Sequence, residues 1–178
     1  MEISNNRIYL IGYMGSGKTT VGRSLAEKLN FQFVDIDYFI ENRQRKTINE
    51  IFSEKGEEAF RLMENMVLKE VATFENVVIS TGGGTPCFYD NMEIMNKTGF
   101  TVYLKVSSGE LAKRLDICKN NRPLLKNKTP HEMVAFILKS LEKREFYYNQ
   151  AKLVFDAEQI DVDNIVNHLI NYIFPKTM

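Results

Sequence analysis

Short apolar runs alternate with longer amphipathic stretches along most of the chain. Runs of consecutive apolar residues predict buried strands, and apolar residues spaced three and four apart predict helices between them. Five strands separated by helices favour a parallel sheet with helices on both faces, which is an α/β fold. The predicted strands are residues 8–11, 31–37, 77–80, 100–104 and 153–155.

Local signals mark the ends of several predicted helices. Thr47 and Glu50 have the spacing of a capping box, in which each side chain bonds to the backbone of the other residue. Gly56 follows this cap and is expected to divide the helical stretch into two helices. Ser108 is expected to cap the helix that begins at Gly109, and Asp161 is expected to cap the final helix of the chain.

The composition is that of an ordinary globular protein. Hydrophobic residues make up 44% and charged residues 26% of 178 residues, which predicts one domain spanning residues 1–178. The 23 basic and 23 acidic residues give a formal net charge of +0. This balance gives no indication of a nucleic-acid or membrane partner.

Targeting and cysteine signals are weak. No apolar run approaches the roughly 20 residues of a membrane span, and the polar start of the chain does not resemble a signal peptide. A cytoplasmic location is therefore expected.

Cys87 and Cys118 lack the spacing of metal ligands, and two free thiols are expected in a cytoplasmic protein.

The most informative motif follows the first predicted strand. Residues 12–19 read GYMGSGKT, which matches the phosphate-binding pattern G-x-x-x-x-G-K-[ST] with a helical pattern directly after it. Glycines let backbone N–H groups turn toward phosphate oxygens, and the helix N-terminus adds partial positive charge. Lys18 is expected to reach the β- and γ-phosphates, and the Thr19 hydroxyl to bind Mg²⁺. The alternative is a glycine turn that binds nothing, and the flanking strand and helix argue against it.

Two acids end the second predicted strand. Asp35 can hold Mg²⁺ directly or through water, since this ion prefers oxygen ligands. Asp37 lies two residues further, and if strand geometry persists both side chains share one face. One carboxylate would then serve the metal while the other meets a substrate hydroxyl. The alternative is a pair of solvated acids at a strand end.

Arg61 and the three glycines after the third strand are ambiguous from local sequence. Arg61 in a mostly apolar helix can clamp a substrate carboxylate, although most helical arginines lie at the surface. Gly82, Gly83 and Gly84 can let a ligand approach the backbone closely, or can form a flexible turn.

Two more arginines have a functional and a surface interpretation. The polar stretch 116–129 has the length of a lid. Its Arg122 can close over a transferred phosphoryl group, but a solvated cation is the usual state of a lone loop arginine. Arg144 lies among mixed charges, a pattern typical of an exposed helix face.

Taken in order, the motifs resemble the shikimate kinase family from Arg7 to about Ile173. They are GYMGSGKT, VDID, EEAFR, STGGG, NRPLL and KREFYY. A P-loop alone is shared by many proteins, whereas the ordered set is specific. The resemblance implies a three-layer P-loop kinase of the nucleoside-monophosphate-kinase type, with a five-stranded parallel sheet in the order 2-3-1-4-5 and a lid.

The resemblance implies roles that spacing does not. Lys18, Asp37 and Arg122 match the family's catalytic residues, with Asp37 orienting or deprotonating a shikimate hydroxyl. Arg61 and Arg144 match the arginines that hold the shikimate carboxylate, which reverses the surface interpretation of Arg144. Arg114 matches an adenine-stacking arginine, with looser spacing.

The binding residues implied by the resemblance fall into three groups. Those for ATP are Gly15, Ser16, Gly17, Lys18, Thr19, Thr20 and Arg122. Those for shikimate are Asp37, Arg61, Gly82, Gly83, Gly84 and Arg144. Those for Mg²⁺ are Thr19 and Asp35.

The implied reaction converts ATP and shikimate to ADP and shikimate 3-phosphate, a step of chorismate and aromatic amino-acid biosynthesis. The resemblance further implies a monomer. One alternative is a related kinase acting on gluconate or a nucleoside monophosphate. Another is a non-catalytic binding module, against which the intact Lys18, Asp35, Asp37 and Arg122 argue.

Overall fold

The computed structural model describes residues 6–117, 129–159 and 161–175. Five parallel strands form one sheet in the order β2-β3-β1-β4-β5, which confirms the predicted order. The strands are β1 (Arg7–Ile11), β2 (Gln32–Asp35), β3 (Val77–Ser80), β4 (Phe100–Lys105) and β5 (Leu153–Asp156). The central strand is β1, in which Tyr9 pairs with Ile79 on one side and with Thr101 on the other.

Seven α-helices and one short 3₁₀-helix join the strands within the described residues. The α-helices are α1 (Lys18–Leu29), α2 (Ile36–Gln44), α3 (Ile48–Val71), α4 (Asn91–Thr98), α5 (Ser108–Ile117), α6 (Pro130–Tyr148) and α7 (Val162–Ile173), and the 3₁₀-helix is Thr85–Cys87. The connection from β1 to β2 runs toward one edge of the sheet, whereas the later connections run back across it. Right-handed crossovers in opposite directions place helices on both faces, and α1 packs against α7.

The sheet is most deeply buried at its centre. Every residue of β1 and β3 is buried, as expected for parallel strands covered on both faces, whereas the edge strands β2 and β5 are partly exposed. In such a sheet, the carboxyl ends of neighbouring strands open toward one crevice. The segments starting at Gly12, Asp35 and Gly82 follow three neighbouring strands, so the fold brings them together.

Several predicted helix boundaries agree with the structure. Thr47 and Glu50 form the predicted capping box, and the Asp161 side chain accepts a hydrogen bond from the backbone N–H of Asn164. Gly56 has a φ of 79° inside α3 and kinks it, as predicted. The residues that mark these boundaries act within one helical turn, which is why the local sequence suffices.

Two predicted boundaries are wrong. Ser107, not Ser108, caps α5, because its hydroxyl accepts a hydrogen bond from the backbone N–H of Glu110 at 3.2 Å. The second strand ends at Asp35 rather than Asp37. The Asp35 side chain caps α2, and the helix begins at the next residue.

Some predictions concern residues outside the described part of the chain. Arg122, Cys118 and most of the predicted lid at 116–129 lie there. Cys87 is a free thiol, as predicted. Among the described residues, no helix combines the length and apolar character needed to cross a membrane.

A buried arginine on the central strand bonds to the segments that directly precede the two neighbouring strands. Arg7 begins β1 and is only 3% exposed. Its guanidinium donates hydrogen bonds to the carbonyl of Phe74, with Nε at 2.8 Å, and to the carbonyl of Thr98. Phe74 precedes β3 and Thr98 precedes β4. One side chain therefore satisfies backbone groups on both sides of β1.

Replacing this arginine tests its contribution to stability. Arg7→Met should lower the free energy of unfolding by roughly 2–4 kcal/mol, since two partly buried carbonyl groups lose their donors. Urea unfolding of both proteins gives this difference. The control is Arg43→Met, which removes an exposed arginine paired with Glu70 at 2.7 Å and should have a much smaller effect. Equal losses for the two variants would contradict this role for Arg7.

Candidate active site

The loop between β1 and α1 closes around its own lysine. Gly12 has a φ of 143°, and a Cβ there would lie 2.8 Å from the carbonyl oxygen of Leu104, so only glycine fits. Lys18 Nζ is buried and donates to the carbonyls of Gly12 at 2.9 Å and Tyr13 at 2.8 Å. Ser16 Oγ is buried without a hydrogen-bond partner in the described part of the chain. A buried cation and an unpaired hydroxyl at a helix N-terminus fit phosphate oxygens.

The other predicted nucleotide-binding residues lie in the same loop and the first turn of α1. Gly15 and Gly17 have positive φ values of 82° and 94°, a backbone conformation that is typical of loops whose N–H groups bind an anion. Thr20 is exposed in the first turn of α1. The structure therefore places the predicted ATP-binding residues, apart from Arg122, around one loop.

Two oxygen ligands predicted for Mg²⁺ lie side by side. The Thr19 hydroxyl donates a hydrogen bond to Asp35 Oδ2 at 2.9 Å. The other carboxylate oxygen of Asp35 accepts a hydrogen bond from the backbone N–H of Tyr38 at 3.3 Å. Mg²⁺ typically takes one or two protein oxygens and completes its shell with water and phosphate oxygens. Thr19 and Asp35 fit that requirement.

Asp37 lies in the first turn of α2 rather than on an extended strand, so the shared-face argument for the two acids does not apply. Its carboxylate instead reaches Gly82, where a Cβ would lie 2.8 Å from Asp37 Oδ1. Burial, together with the negative charges of Glu64 and Asp35, raises the pKa of Asp37 to about 7, while the positive charge of Lys18 acts in the opposite direction. A carboxylate with a pKa near neutrality can accept a proton from a hydroxyl at physiological pH.

Arg61 is enclosed, so its interpretation as a surface arginine is wrong. Its side chain is 11% exposed, with Nη1 at 2.6 Å from Glu64 and Nη2 at 3.0 Å from Glu57. The ring centre of Phe88 lies 4.4 Å from the guanidinium carbon. Burial by itself would lower the pKa of Arg61, but Glu64 and Glu57 outweigh it and leave the pKa raised. The guanidinium therefore stays charged.

Glu64 is a site residue that the sequence analysis missed. Its side chain is 1% exposed, and its two oxygens accept separate hydrogen bonds, from Arg61 at 2.6 Å and from the Thr85 hydroxyl at 2.6 Å. Its position three residues after Arg61, on a face that also carries the buried Phe60 and Val67, was the available signal. Residues with this spacing are neighbours on a helix.

The three glycines are packed against the candidate side chains, which contradicts the flexible-turn alternative. A Cβ at Gly82 would lie 2.6 Å from Glu64 Oε1, and one at Gly84 would lie 2.6 Å from Arg61 Nη1. A Cβ at Gly83 would lie 3.3 Å from a backbone nitrogen of the phosphate-binding loop. A side chain at Gly82 or Gly84 would displace a charged group, so the close approach depends on glycine.

Helix α6 contributes two more side chains. Arg144 Nη1 donates to the carbonyl of Gly83 at 3.2 Å, and its guanidinium carbon lies 5.2 Å from the ring centre of Tyr13. Arg144 is partly buried, so the exposed-face interpretation from its charged neighbours is wrong. Tyr148, one turn later, donates to the same carbonyl and packs on Tyr103 with ring centres 4.9 Å apart. Tyr148 was not among the predicted site residues.

Arg114 holds the connection between β5 and α7. Its Nε donates to Glu110 at 3.0 Å, and its Nη2 donates to the carbonyls of Ala157 at 3.1 Å and Glu158 at 2.7 Å. Among the described residues, its Nη1 is buried without a partner. A role in adenine binding stays a prediction.

The backbone of the phosphate-binding loop and side chains from α2, α3 and α6 thus meet at residues 82–84. A cradle for phosphate lies beside a carboxylate with a near-neutral pKa and two guanidinium groups. Phosphoryl transfer depends mainly on positioning and on stabilising negative charge. The arrangement suits transfer from a nucleotide to a hydroxyl of a small molecule that also carries an acid group.

Comparisons with known proteins agree with this chemistry. The protein-family model described as shikimate kinase matches residues 14–174. The shikimate kinase of Parabacteroides distasonis is 55% identical over 165 residues, which cover 93% of this chain and 95% of that protein.

Two solved structures are similar over nearly the whole fold. Shikimate kinase from Bacteroides thetaiotaomicron is 49% identical with a TM-score of 0.91, covering 97% of this chain and 99% of that one. Shikimate kinase from Acinetobacter baumannii, solved in complex with shikimate, is 34% identical with a TM-score of 0.87, covering 97% and 95% respectively.

The raised pKa of Asp37 predicts a stability change with a definite sign. Because its ordinary pKa of 3.8 rises to about 7 on folding, the ionised form is disfavoured in the folded chain. This cost is absent below pH 4, grows as the pH rises, and is complete above pH 7. Asp37→Asn should therefore raise the unfolding free energy at pH 8 by on the order of 2 kcal/mol, with a smaller gain at pH 5.

Thermal unfolding with a chelator and without ligands measures this effect. The matched control is Asp163→Asn, since a hydrogen bond from Lys28 lowers the pKa of exposed Asp163, and this variant should lose stability at pH 8. A gain for Asp37→Asn that is the same at both pH values would show that Asp37 titrates normally.

Proposed function

The chain belongs to the shikimate kinase family and transfers a phosphoryl group from ATP to shikimate; we propose that the side chains around residues 82–84 carry out this transfer to the 3-hydroxyl group. The convergence of Asp37, Arg61 and Arg144 on the three glycines, beside the phosphate-binding loop, is the observation that carries the proposal. The product would be shikimate 3-phosphate, which the family forms on the route to chorismate and aromatic amino acids.

The two arginines hold the shikimate carboxylate in this proposal. Arg61 and Arg144 contact adjacent residues of the glycine segment, at Gly84 and Gly83. A planar guanidinium can bind a carboxylate through two parallel hydrogen bonds, which fixes its orientation as well as its position. The clamp therefore sets where the ring of shikimate lies relative to Asp37.

Asp37 receives the acceptor hydroxyl. Its carboxylate lies at Gly82, the first residue of the glycine segment. With a pKa of about 7, it can orient the hydroxyl and accept its proton as the new bond to phosphorus forms. The positive charge of Lys18 lowers the pKa of Asp37, so the lysine assigned to the phosphates also interacts electrostatically with the proposed proton acceptor.

The phosphate side of the site is assigned to the loop at residues 12–19. Lys18 and the loop N–H groups hold the phosphates of ATP, and Thr19 with Asp35 hold Mg²⁺. The ion would neutralise charge on the phosphate oxygens. Arg122, which lies outside the described residues, is proposed to reach the transferred group.

We further propose that the enzyme is a cytoplasmic monomer. Lys18, Asp37, Arg61 and Arg144 all come from one chain, which supports an enzyme that acts as a monomer. Since the reaction consumes ATP, a cytoplasmic location is proposed.

An acceptor panel tests the substrate. ADP release should occur with shikimate and should be at least about 100-fold slower with gluconate, CMP or AMP, since these lack one or more of the contacts proposed for the pocket. Coupled measurement of ADP, with Lys18→Ala as the inactive control, distinguishes phosphoryl transfer from background hydrolysis. Faster turnover of gluconate or a nucleotide would make the substrate assignment wrong.

Arg144 offers the cleaner test of the carboxylate clamp. Arg144→Ala should weaken shikimate binding by roughly 2–5 kcal/mol, the range for losing one member of a buried charge pair, while the KM for ATP stays within a few-fold. Arg61→Ala should have a similar effect on shikimate but should also lower stability, because Glu64 then remains buried without its partner. Steady-state kinetics and thermal unfolding separate the two results. An unchanged KM for shikimate in Arg144→Ala would remove Arg144 from the clamp.

A further inference from the structure

The turn that follows the glycines is built into the protein interior. Thr85 and Pro86, the first two residues of the 3₁₀-helix, are buried, with Thr85 fully so. The backbone N–H of Thr85 donates to the carbonyl of Gly82 at 3.1 Å, which closes the turn. The position of the Thr85 side chain is therefore fixed relative to the glycine segment.

Thr85 immobilises the carboxylate that holds Arg61. Its hydroxyl donates to Glu64 Oε1 at 2.6 Å, while Glu64 Oε2 accepts from Arg61 Nη1 at 2.6 Å. A carboxylate bonded at both oxygens cannot rotate without breaking one bond. The orientation of the Arg61 guanidinium therefore depends on a hydroxyl that does not touch it.

Thr85 is itself held from two helices. Asn91 of α4 donates its side-chain N–H to the carbonyl of Thr85 at 2.7 Å, and Asn65 of α3 donates to the Asn91 side-chain oxygen at 2.8 Å. Asn65 and Asn91 are buried, where a lost hydrogen bond is costly. The network makes the turn a rigid support for Thr85.

Phe88 fixes the plane of the same guanidinium. Its ring centre lies 4.4 Å from the Arg61 guanidinium carbon, and that of Phe60 lies 5.3 Å away. Aromatic faces at these distances attract a cation and favour stacking of a planar one. Thr85 therefore restricts the Arg61 guanidinium indirectly, through Glu64, whereas Phe88 contacts the guanidinium itself.

We propose that Thr85 and Phe88 are positioning residues that orient Arg61 toward the substrate carboxylate and so determine selectivity for an acid over an uncharged acceptor. This inference rests on the proposed function, in which Arg61 holds the carboxylate of shikimate. Neither residue needs to touch the substrate. Both belong to the segment 85–88, which the sequence analysis left without a role.

Removing the Thr85 hydroxyl provides the first test. Thr85→Val keeps the shape of the side chain and should raise the dissociation constant for shikimate roughly tenfold, since Glu64 loses the hydrogen bond that fixes its carboxylate. Thr85→Ser should restore tight binding. The matched control is Thr101→Val, which removes an equally buried hydroxyl that donates to Asn96 at 2.6 Å, at the amino end of β4.

Shikimate methyl ester distinguishes positioning from a general loss of structure. Calorimetric titration should show that Thr85→Val weakens binding of the acid but leaves affinity for the neutral ester within about twofold, because the guanidinium contributes little to a neutral ester. Thr101→Val should change neither ligand's affinity. An equal loss for acid and ester, or unchanged binding of the acid in folded Thr85→Val, overturns the inference.

Phe88 gives an independent test that removes no buried hydrogen bond and applies even if Thr85→Val does not fold. Phe88→Leu should weaken shikimate binding roughly threefold to tenfold, the scale of a cation–π contact, while Phe146→Leu, an exposed control, should not. Unchanged shikimate binding in Phe88→Leu would overturn the positioning role of Phe88. A wild-type protein that neither binds nor phosphorylates shikimate would refute the proposed function instead, so the two failures are distinguishable.

Discussion

The buried ion pair between Glu64 and Arg61 is the interaction around which the site is arranged. Removing two charges from water costs several kcal/mol for each ion, and the cost is offset only when the geometry is good and the remaining hydrogen-bonding groups are satisfied. Here the second oxygen of Glu64 bonds to Thr85, and Arg61 also contacts Glu57 and aromatic rings. The same negative charge raises the pKa of Asp37. One carboxylate thus orients a cation and adjusts the proton affinity of a neighbouring acid.

The sheet and the nucleotide loop were predictable because their signals are local. An apolar run, a glycine-rich loop and an amphipathic helix follow one another directly, and the strand order follows once the family resemblance is stated. The cap of α5 was not predictable in this way, since Ser107 and Ser108 are both suitable hydroxyl residues. Glu158, from the segment after β5, accepts hydrogen bonds from both the backbone N–H and the hydroxyl of Ser107. This contact with a residue distant in the sequence holds Ser107 at the start of α5.

The positions of Arg144 and Glu64 in the candidate site did not follow from the local sequence. Arg144 lies among charged residues, a pattern typical of an exposed helix face. In the structure it donates a hydrogen bond to the carbonyl of Gly83, which lies 61 residues earlier in the chain. Glu64 has no motif of its own and gains its role from the packing of α3 against the turn at 85–87. Asp35 and Asp37 were both expected at the ligand edge, but the helix that begins at Ile36 separates their directions. Long-range packing decided each of these cases.

The closeness of Gly82 to two carboxylates has a consequence for inhibitor design. Any residue larger than glycine there would push its first carbon to within 2.6 Å of one acidic oxygen and 2.8 Å of another. Resistance mutations at this position would therefore damage the enzyme itself. A compound that binds the backbone of this segment would contact atoms beside which a side chain at Gly82 or Gly84 would clash with a charged group.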